Sequence, residues 1–173
     1  MIDAGSDELA IAGSFLQLTG REFVTGDIVD ADLWPGSHGG YHADSARTFF
    51  LGEPSPQARL LYEATVRAYD AAIAAVRPGV TAESIHVACI EVMSEAGFDQ
   101  VWKVGHGVGL AESHEPPLLQ MGNTDVIEAG MVFTIDPGAF FGRATPIHIE
   151  DSVVVTESGC ESLNAFSREI QVL

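Results

Sequence analysis

Apolar positions mark the first patterned part of the chain. In residues 27–32 the apolar side chains Ile28, Val29 and Ala31 suit a strand, and the following LWPGSHGG is typical of a hairpin loop because it contains proline and glycines. Residues 41–51 predict a second strand. We therefore expect Asp32 and Asp44 to lie on adjacent antiparallel strands, where directly facing side chains approach closely.

The middle of the chain predicts two helices. EPSPQ begins the first, with Ser55 as N-cap, and the helix is expected to run to about Val76, where RPGV stops it. The second begins at Thr81 or Ser84, carries apolar residues at helical spacing, and ends before Gly97.

From residue 101 onward the pattern predicts three or four strands. They are expected at VGHGVGL, at residues 131–135 and at residues 147–156. The order of a strand hairpin, two helices and further strands favours an α+β fold with a mainly antiparallel sheet. Residues 1–25 are weakly patterned, so regular structure is expected to begin at Asp27.

Composition narrows the range of partners. The 173 residues are 46% apolar, which is enough for the core of one domain. The formal net charge of −17 opposes binding to phosphate backbones, so no nucleic-acid partner is expected. No apolar run is long enough for a membrane span, and the N-terminus has no basic region of the kind found in signal peptides. Cys89 is expected to be buried, and the absence of a disulfide framework predicts a cytoplasmic protein.

Five side chains are candidate metal ligands: Asp32, Asp44, His106, Asp136 and Glu150. A carboxylate within a strand is costly unless it is paired or bound. Four carboxylates and one imidazole can hold two divalent cations, which can generate a nucleophile from water at neutral pH. The pattern therefore predicts a metallohydrolase. The structural alternatives are a solvent-facing Asp32, an Asp44 that acts as a cap or pairs with Arg47, a structural His106, a turn cap at Asp136 and a salt bridge from Glu150 to Arg143.

With these residues assembled, the chain resembles the "pita-bread" metallopeptidases of family M24. The motifs GDIVDAD, GGYHADSARTF, GHGVGL with SHEPP, IEAGMVFTIDPG and IEDSVVVTESG occur in the order of that family. They resemble the prolidase and aminopeptidase P branch more than the methionine aminopeptidases. The resemblance implies a partial pita-bread (creatinase/aminopeptidase) fold, in which a curved antiparallel sheet carries helices on one face.

The resemblance also implies a dinuclear site. Two divalent ions, manganese first and cobalt, iron or zinc as alternatives, would be held by the five side chains. Asp44 and Glu150 would bridge the ions, Asp136 would relay the proton of a metal-bridged hydroxide, and His114 would stabilise the oxyanion. His114, Asp136 and Glu150 are thus the expected catalytic residues, and His114 and His148 the expected substrate-binding residues.

The chain departs from the family pattern in several places. The spacings from Asp32 to Asp44 and from His106 to His114 are each one residue longer, with the insertions expected in loops. Asp136 replaces a glutamate, which retracts the carboxylate by one methylene, roughly 1.5 Å. His148 stands where the prolidase branch usually has arginine.

The family's catalytic domain normally begins well upstream of the first motif. Residues 1–25 are therefore expected to be a weakly patterned N-terminal segment, and residues 26–173 the C-terminal portion of the catalytic domain. Such a truncated chain would complete its pocket as a homodimer or with a separate N-terminal half.

The function that the resemblance implies is hydrolysis of the peptide bond near the N-terminus of peptides, of the Xaa-Pro type. One alternative is a non-catalytic member that binds a peptide or small molecule in the same groove, which the aspartate at position 136 favours. The other is a creatinase-like C–N hydrolase, although such enzymes usually lose several of these carboxylates.

Overall fold

A large sheet covered by two helices forms the body of the molecule. The computed structural model describes residues 2–5, 22–33, 36–100, 102–111, 114–141 and 145–173. In chain order the elements are β1 (Ile2–Gly5), β2 (Ile28–Asp32), β3 (Gly36–His38), β4 (Tyr41–Ala43), β5 (Ser45–Phe50), α1 (Pro56–Ala75), α2 (Ala82–Glu95), β6 (His106–Gly107), β7 (Glu115–Leu118), β8 (Val132–Ile135), β9 (Gly138–Phe141), β10 (Thr145–Val155), β11 (Cys160–Ser162) and β12 (Gln171–Val172).

The strands of the large sheet follow the order β1-β2-β5-β10-β8-β6-β7. Strands β9 and β11 also pair with β10, and β12 pairs with β5. Among the described strands only the β12–β5 pairing is parallel, while β3 and β4 form a separate hairpin. The predicted α+β class with a mainly antiparallel sheet is confirmed.

Both predicted helices are present with the predicted caps. The Ser55 hydroxyl accepts a hydrogen bond from the Ala58 amide at 3.2 Å, and α1 is capped at its C-terminal end by Val76. The Thr81 hydroxyl accepts from the Ser84 amide at 3.2 Å and so opens α2. Within the described residues, no helix combines the length and apolar character that a membrane crossing needs.

The core lies between the helices and the sheet. Its largest fully buried side chains come from α1, α2, strands β5, β8 and β10, and the loops before β8; they include Leu61, Tyr62, Tyr69, Ile85, Met93, Leu119, Ile127, Phe133, Ile135, Ile147 and Ile149. Full burial of one such side chain stabilises the fold by about 1.5–3 kcal/mol. Cys89 is buried as predicted, and the helices are held to the sheet by this shared apolar layer.

Strand β10 separates the core from the functional side of the sheet. Ile147, Ile149 and Val153 are fully buried in the core. Because side chains alternate along a strand, His148 and Glu150 point the other way. A single strand therefore contributes both to the apolar layer and to a polar cluster on the opposite face.

The hairpin after β2 differs from its prediction. Residues 41–51 do not form one strand: Asp44 lies between β4 and β5, and the preceding loop itself contains β3 and β4. The His42 amide donates to the Gly109 carbonyl at 2.7 Å, so β4 is bonded to the segment that contains Gly109 as well as to β3. Asp32 pairs with Ala46, so Asp32 and Asp44 are diagonal neighbours rather than directly facing ones.

The prediction of three or four strands after the helices was too low, since the described residues form seven there. Strand β7 was missed because its sequence EPPL contains two prolines, which weigh against a strand. Strands β11 and β12 are too short to show a pattern. Regular structure also begins earlier than predicted, because β1 pairs with β2. Part of each loop expected to hold an insertion, at residues 34–35 and 112–113, lies outside the described residues.

Candidate metal centre

Three predicted ligands meet on the polar face of the sheet. Asp44, His106 and Glu150 each offer one ligand atom, and these atoms lie within 4.8 Å of one another. His106 Nε2 is 3.6 Å from Asp44 Oδ2 and 3.3 Å from Glu150 Oε1. All three side chains are buried, and they come from three segments far apart in sequence.

The histidine of this group is oriented by the backbone. His106 Nδ1 lies 3.1 Å from the carbonyl oxygen of Gly107. Because a carbonyl oxygen can only accept, Nδ1 carries a proton. In its neutral form the ring presents the lone pair of Nε2 to Asp44 and Glu150, the orientation that a metal-binding imidazole needs.

One oxygen of each carboxyl group in this cluster has no hydrogen-bond partner. Asp44 Oδ1 and Glu150 Oε1 are buried and accept no hydrogen bond from the described residues. Burial, together with the charge of Glu150, raises the pKa of Asp44 to about 8. Burial and the charge of Asp136 raise the pKa of Glu150 well above its usual value. Clustered buried acceptors of this kind fit a divalent cation, which would satisfy them directly.

A second group shares Glu150 with the first. Asp136, His148 and Glu150 also offer ligand atoms within 4.8 Å of one another. His148 Nε2 is 2.5 Å from Asp136 Oδ1, and Nδ1 is 3.4 Å from Asp30 Oδ2. Burial opposes the charged imidazolium, but Asp136 and Asp30 outweigh burial and raise the pKa of His148 well above its usual value.

Asp32 lies beside these groups without belonging to either set of mutually close ligand atoms. Burial raises the pKa of its carboxyl, and its charged neighbours include His148 and Asp136. Its strand, β2, pairs with β5, which begins directly after Asp44. The assignment of Asp32 as a metal ligand stays a prediction.

His114 lies next to His106 at the solvent-exposed edge of the cluster. The two ring centroids are 4.0 Å apart, and His114 Nδ1 is 2.9 Å from Lys103 Nζ. Partial desolvation, followed by the charges of His106 and Lys103, lowers the pKa of His114 to about 4. The ring is therefore neutral at pH 7. Because the lysine ammonium can only donate, Nδ1 accepts and the ring proton lies on Nε2.

Several residues that support the cluster were not predicted from the sequence. Asp30 contacts His148, the Ser152 hydroxyl donates to the Asp44 carbonyl at 2.8 Å, and Trp102 Nε1 lies 3.2 Å from Asp136 Oδ1. Asp30 could have been predicted from the sequence, because it lies two residues before Asp32 and therefore on the same face of the strand. The contacts of Ser152 and Trp102 could not have been predicted from the sequence, because they depend on tertiary structure.

Two ion pairs with arginine were the alternatives to metal binding at Asp44 and Glu150. Arg47 pairs with Asp151 at 2.6 Å, so its pairing with Asp44 was wrong. Arg143, the alternative partner of Glu150, lies outside the described residues.

Comparisons with known proteins agree with this geometry. The sequence profile of metallopeptidase family M24 matches residues 11–157. The chain is 44% identical over 156 residues to a probable dipeptidase, PepE, from Mycobacterium tuberculosis, covering 88% of this chain and 41% of that protein. It is 38% identical over 138 residues to an Xaa-Pro dipeptidase from Lactobacillus delbrueckii subsp. lactis, covering 79% of this chain and 37% of that protein.

A crystal structure of the dipeptidase PepE from Mycobacterium ulcerans superposes with a TM-score of 0.83 at 43% identity, covering 88% of this chain and 41% of that one. The chain therefore spans about two fifths of the length of these relatives. The matched profile, the pita-bread fold and the carboxylate–histidine cluster lead to one conclusion: the chain belongs to metallopeptidase family M24.

Proposed function

We propose that this chain carries the metal centre of an Xaa-Pro type peptidase, which hydrolyses the peptide bond near the N-terminus of its substrate. The observation that carries the proposal is the buried convergence of Asp44, His106 and Glu150, which present ligand atoms to one another within 4.8 Å. The names of the relatives supply the substrate class, because they include Xaa-Pro dipeptidases.

The proposed site holds two divalent cations through the five predicted ligands, with Glu150 common to both groups of close ligand atoms. When bound, such cations lower the pKa of water and polarise a carbonyl oxygen. The chemistry of the donor set fits this role, since carboxylates and imidazole suit manganese, cobalt, iron and zinc. Manganese remains the first expectation from the family resemblance.

Asp136 would hold the proton that moves during hydrolysis. Its Oδ1 accepts a hydrogen bond from Trp102 Nε1 at 3.2 Å. A proton taken up by this carboxyl group would therefore be carried on Oδ2. Trp102 Nε1 also donates to the Asp136 carbonyl at 3.0 Å, so the indole contacts both the backbone and the side chain of the aspartate.

His114 would stabilise the oxyanion that develops as the peptide bond opens. Its Nδ1 faces Lys103, which leaves the Nε2 proton free to point at substrate. A donor placed at a developing oxyanion acts most strongly where water is excluded. In this proposal Lys103 sets the tautomer and His114 makes the contact with substrate.

The test is metal analysis combined with hydrolysis of Xaa-Pro dipeptides. The purified chain is expected to bind about two equivalents of transition metal and to hydrolyse a proline-containing panel when manganese or cobalt is added. Glu150→Gln should lose metal and activity together, because it removes a carboxylate from both groups. Glu63→Gln, on the exposed side of α1, makes the same chemical change and should alter neither.

Two outcomes would contradict the proposal. One is two equivalents of bound metal without hydrolysis of any dipeptide in the panel, which would indicate a non-catalytic binding protein. The other is hydrolysis that survives complete removal of metal by a chelator, which would point to the metal-free C–N hydrolases of the creatinase type.

A further inference from the structure

His148 is placed to do more than contact substrate. It lies two residues before Glu150 on β10, so both side chains emerge on the same face. Its side chain is only 10% exposed, and Nε2 lies 2.5 Å from Asp136 Oδ1 and 3.9 Å from Glu150 Oε2. The ring nitrogen therefore faces two carboxylates that are themselves predicted metal ligands.

The other side of the ring is held by two residues from neighbouring strands. Asp30 Oδ2 lies 3.4 Å from His148 Nδ1. The Thr48 hydroxyl accepts from the His148 amide at 2.9 Å, and its one proton is shared between the His148 carbonyl at 3.1 Å and Asp30 Oδ1 at 3.4 Å. Thr48 thus fixes the backbone of the histidine and the carboxylate that faces its ring.

This arrangement is the one found around metal-binding histidines. Such a histidine almost always donates its second ring N–H to a carboxylate or carbonyl, which fixes the tautomer and leaves the other nitrogen for the cation. In His148, Nδ1 faces the carboxylate of Asp30, and Nε2 faces the carboxylates of Asp136 and Glu150. His106 shows the same plan, with the Gly107 carbonyl on Nδ1.

We propose that His148 is a ligand of the second cation and that Asp30 is the positioning residue that orients its ring. His148 would join the five predicted ligands as a sixth: it lies with Asp136 and Glu150 at one cation, while Asp44, His106 and Glu150 face the other. This inference rests on the proposed function only in requiring that two cations bind. The prolidase branch usually has arginine at position 148, and a guanidinium has no lone pair to offer a metal. Histidine at this position would add a nitrogen ligand beside the shorter carboxylate of Asp136.

Metal preference follows from the ligand set. An additional imidazole favours zinc, cobalt and iron over manganese, since manganese prefers oxygen ligands. Replacing His148 by glutamine should therefore weaken zinc or cobalt binding at one site more than manganese binding. The ratio of the two affinities is a measurement that a merely structural role of His148 would not change.

The experiment is a cobalt titration of the metal-free chain, followed by visible absorption and competition with a chelator. The wild-type chain should bind two equivalents. His148→Gln should lose one equivalent or weaken it by at least about tenfold, and Asp30→Asn should weaken the same equivalent about 10–100-fold. His86→Gln removes a histidine from α2, outside the cluster, and should leave both equivalents unchanged.

NMR of the wild-type chain gives a second measurement that does not depend on the folding of any variant. With ¹⁵N-labelled histidine, two ring nitrogens, those of His106 and His148, should shift when zinc saturates both sites. A single shifted ring together with two bound equivalents would overturn the assignment of His148 and leave the proposed function intact. A chain that binds no metal at all would instead refute the proposed function.

Discussion

Arg47 on β5 and Asp151 on β10 form a buried ion pair close to the candidate metal centre, with Nη2 2.6 Å from Oδ1. Arg47 Nη1 also donates to the Glu150 carbonyl at 2.8 Å, and Asp151 Oδ2 accepts from Arg168 at 2.6 Å. The pair therefore joins β5 to β10 and both to the C-terminal segment. It fixes the backbone of Glu150, the residue that both candidate metal groups share.

Breaking this ion pair should strongly destabilise the protein. Asp151→Asn leaves the buried Arg47 guanidinium without its charge partner, which typically costs about 3–5 kcal/mol. Urea denaturation would measure the loss. The matched control is Glu53→Gln, which breaks the exposed pair with Arg59 and should cost about 1 kcal/mol at most. Equal losses in the two variants would contradict this account of the Arg47–Asp151 pair.

The metal-free protein should lose stability as the pH rises. Burial and Glu150 raise the pKa of Asp44 from 3.8 to about 8, so the folded state keeps a proton that the unfolded chain releases. Because the folded state binds more protons between these two values, the free energy of unfolding falls as the pH increases from about 4 to about 8. Urea midpoints measured in the presence of a chelator would show this slope.

Two controls separate this effect from general pH sensitivity. Asp44→Asn should make the slope shallower, because the amide does not titrate while Glu150, whose pKa is also raised, still does. Added zinc should reverse the slope in the wild-type chain, since cations bind the deprotonated ligands and so compete with protons. An unchanged slope in Asp44→Asn would show that Asp44 is not the group responsible.

Gly107→Ala should displace His106. A Cβ at position 107 would collide with the backbone carbonyls of Pro116 and Glu115, which belong to the paired strand β7. Backbone cannot move aside as a side chain does, so we expect a loss of about 1–3 kcal/mol in stability and a weaker first metal site. Thermal unfolding and metal analysis would test both effects.

Gly159→Ala is the matched control for this substitution. The nearest atom to its added Cβ is the Val76 carbonyl oxygen at 3.9 Å, an ordinary contact. It should leave thermal stability and metal content near the wild-type values. If Gly107→Ala behaves in the same way, close strand packing is not the reason for the glycine beside His106.

His114→Ala should reduce turnover without removing metal. Loss of an oxyanion donor typically lowers kcat about 10²–10³-fold. His114 belongs to neither group of close ligand atoms, so two equivalents of metal should remain bound. Steady-state kinetics on an Xaa-Pro dipeptide and metal analysis of the same sample would check this. Loss of metal together with activity would assign His114 to the metal centre instead.

The helices and the identity of three clustered ligands could be predicted from sequence because their signals are local. Ser55 and Thr81 cap the helices through contacts three residues away, so the capping pattern lies within one short stretch. Asp44, His106 and Glu150 were predicted because buried charge in a strand or glycine-rich segment needs a partner. Each of these inferences uses only a residue and its neighbours in the chain.

Tertiary structure alone decided how these residues meet. His148 and Asp30 are 118 residues apart, and Arg47 and Asp151 are 104 apart. Their contacts depend on which strands pair and in which register, and a shift of one residue would turn every side chain to the other face. The sequence by itself therefore determined which side chains require partners. The order and register of the strands decided which partners they have, because side chains so distant in sequence approach one another only after the sheet has formed.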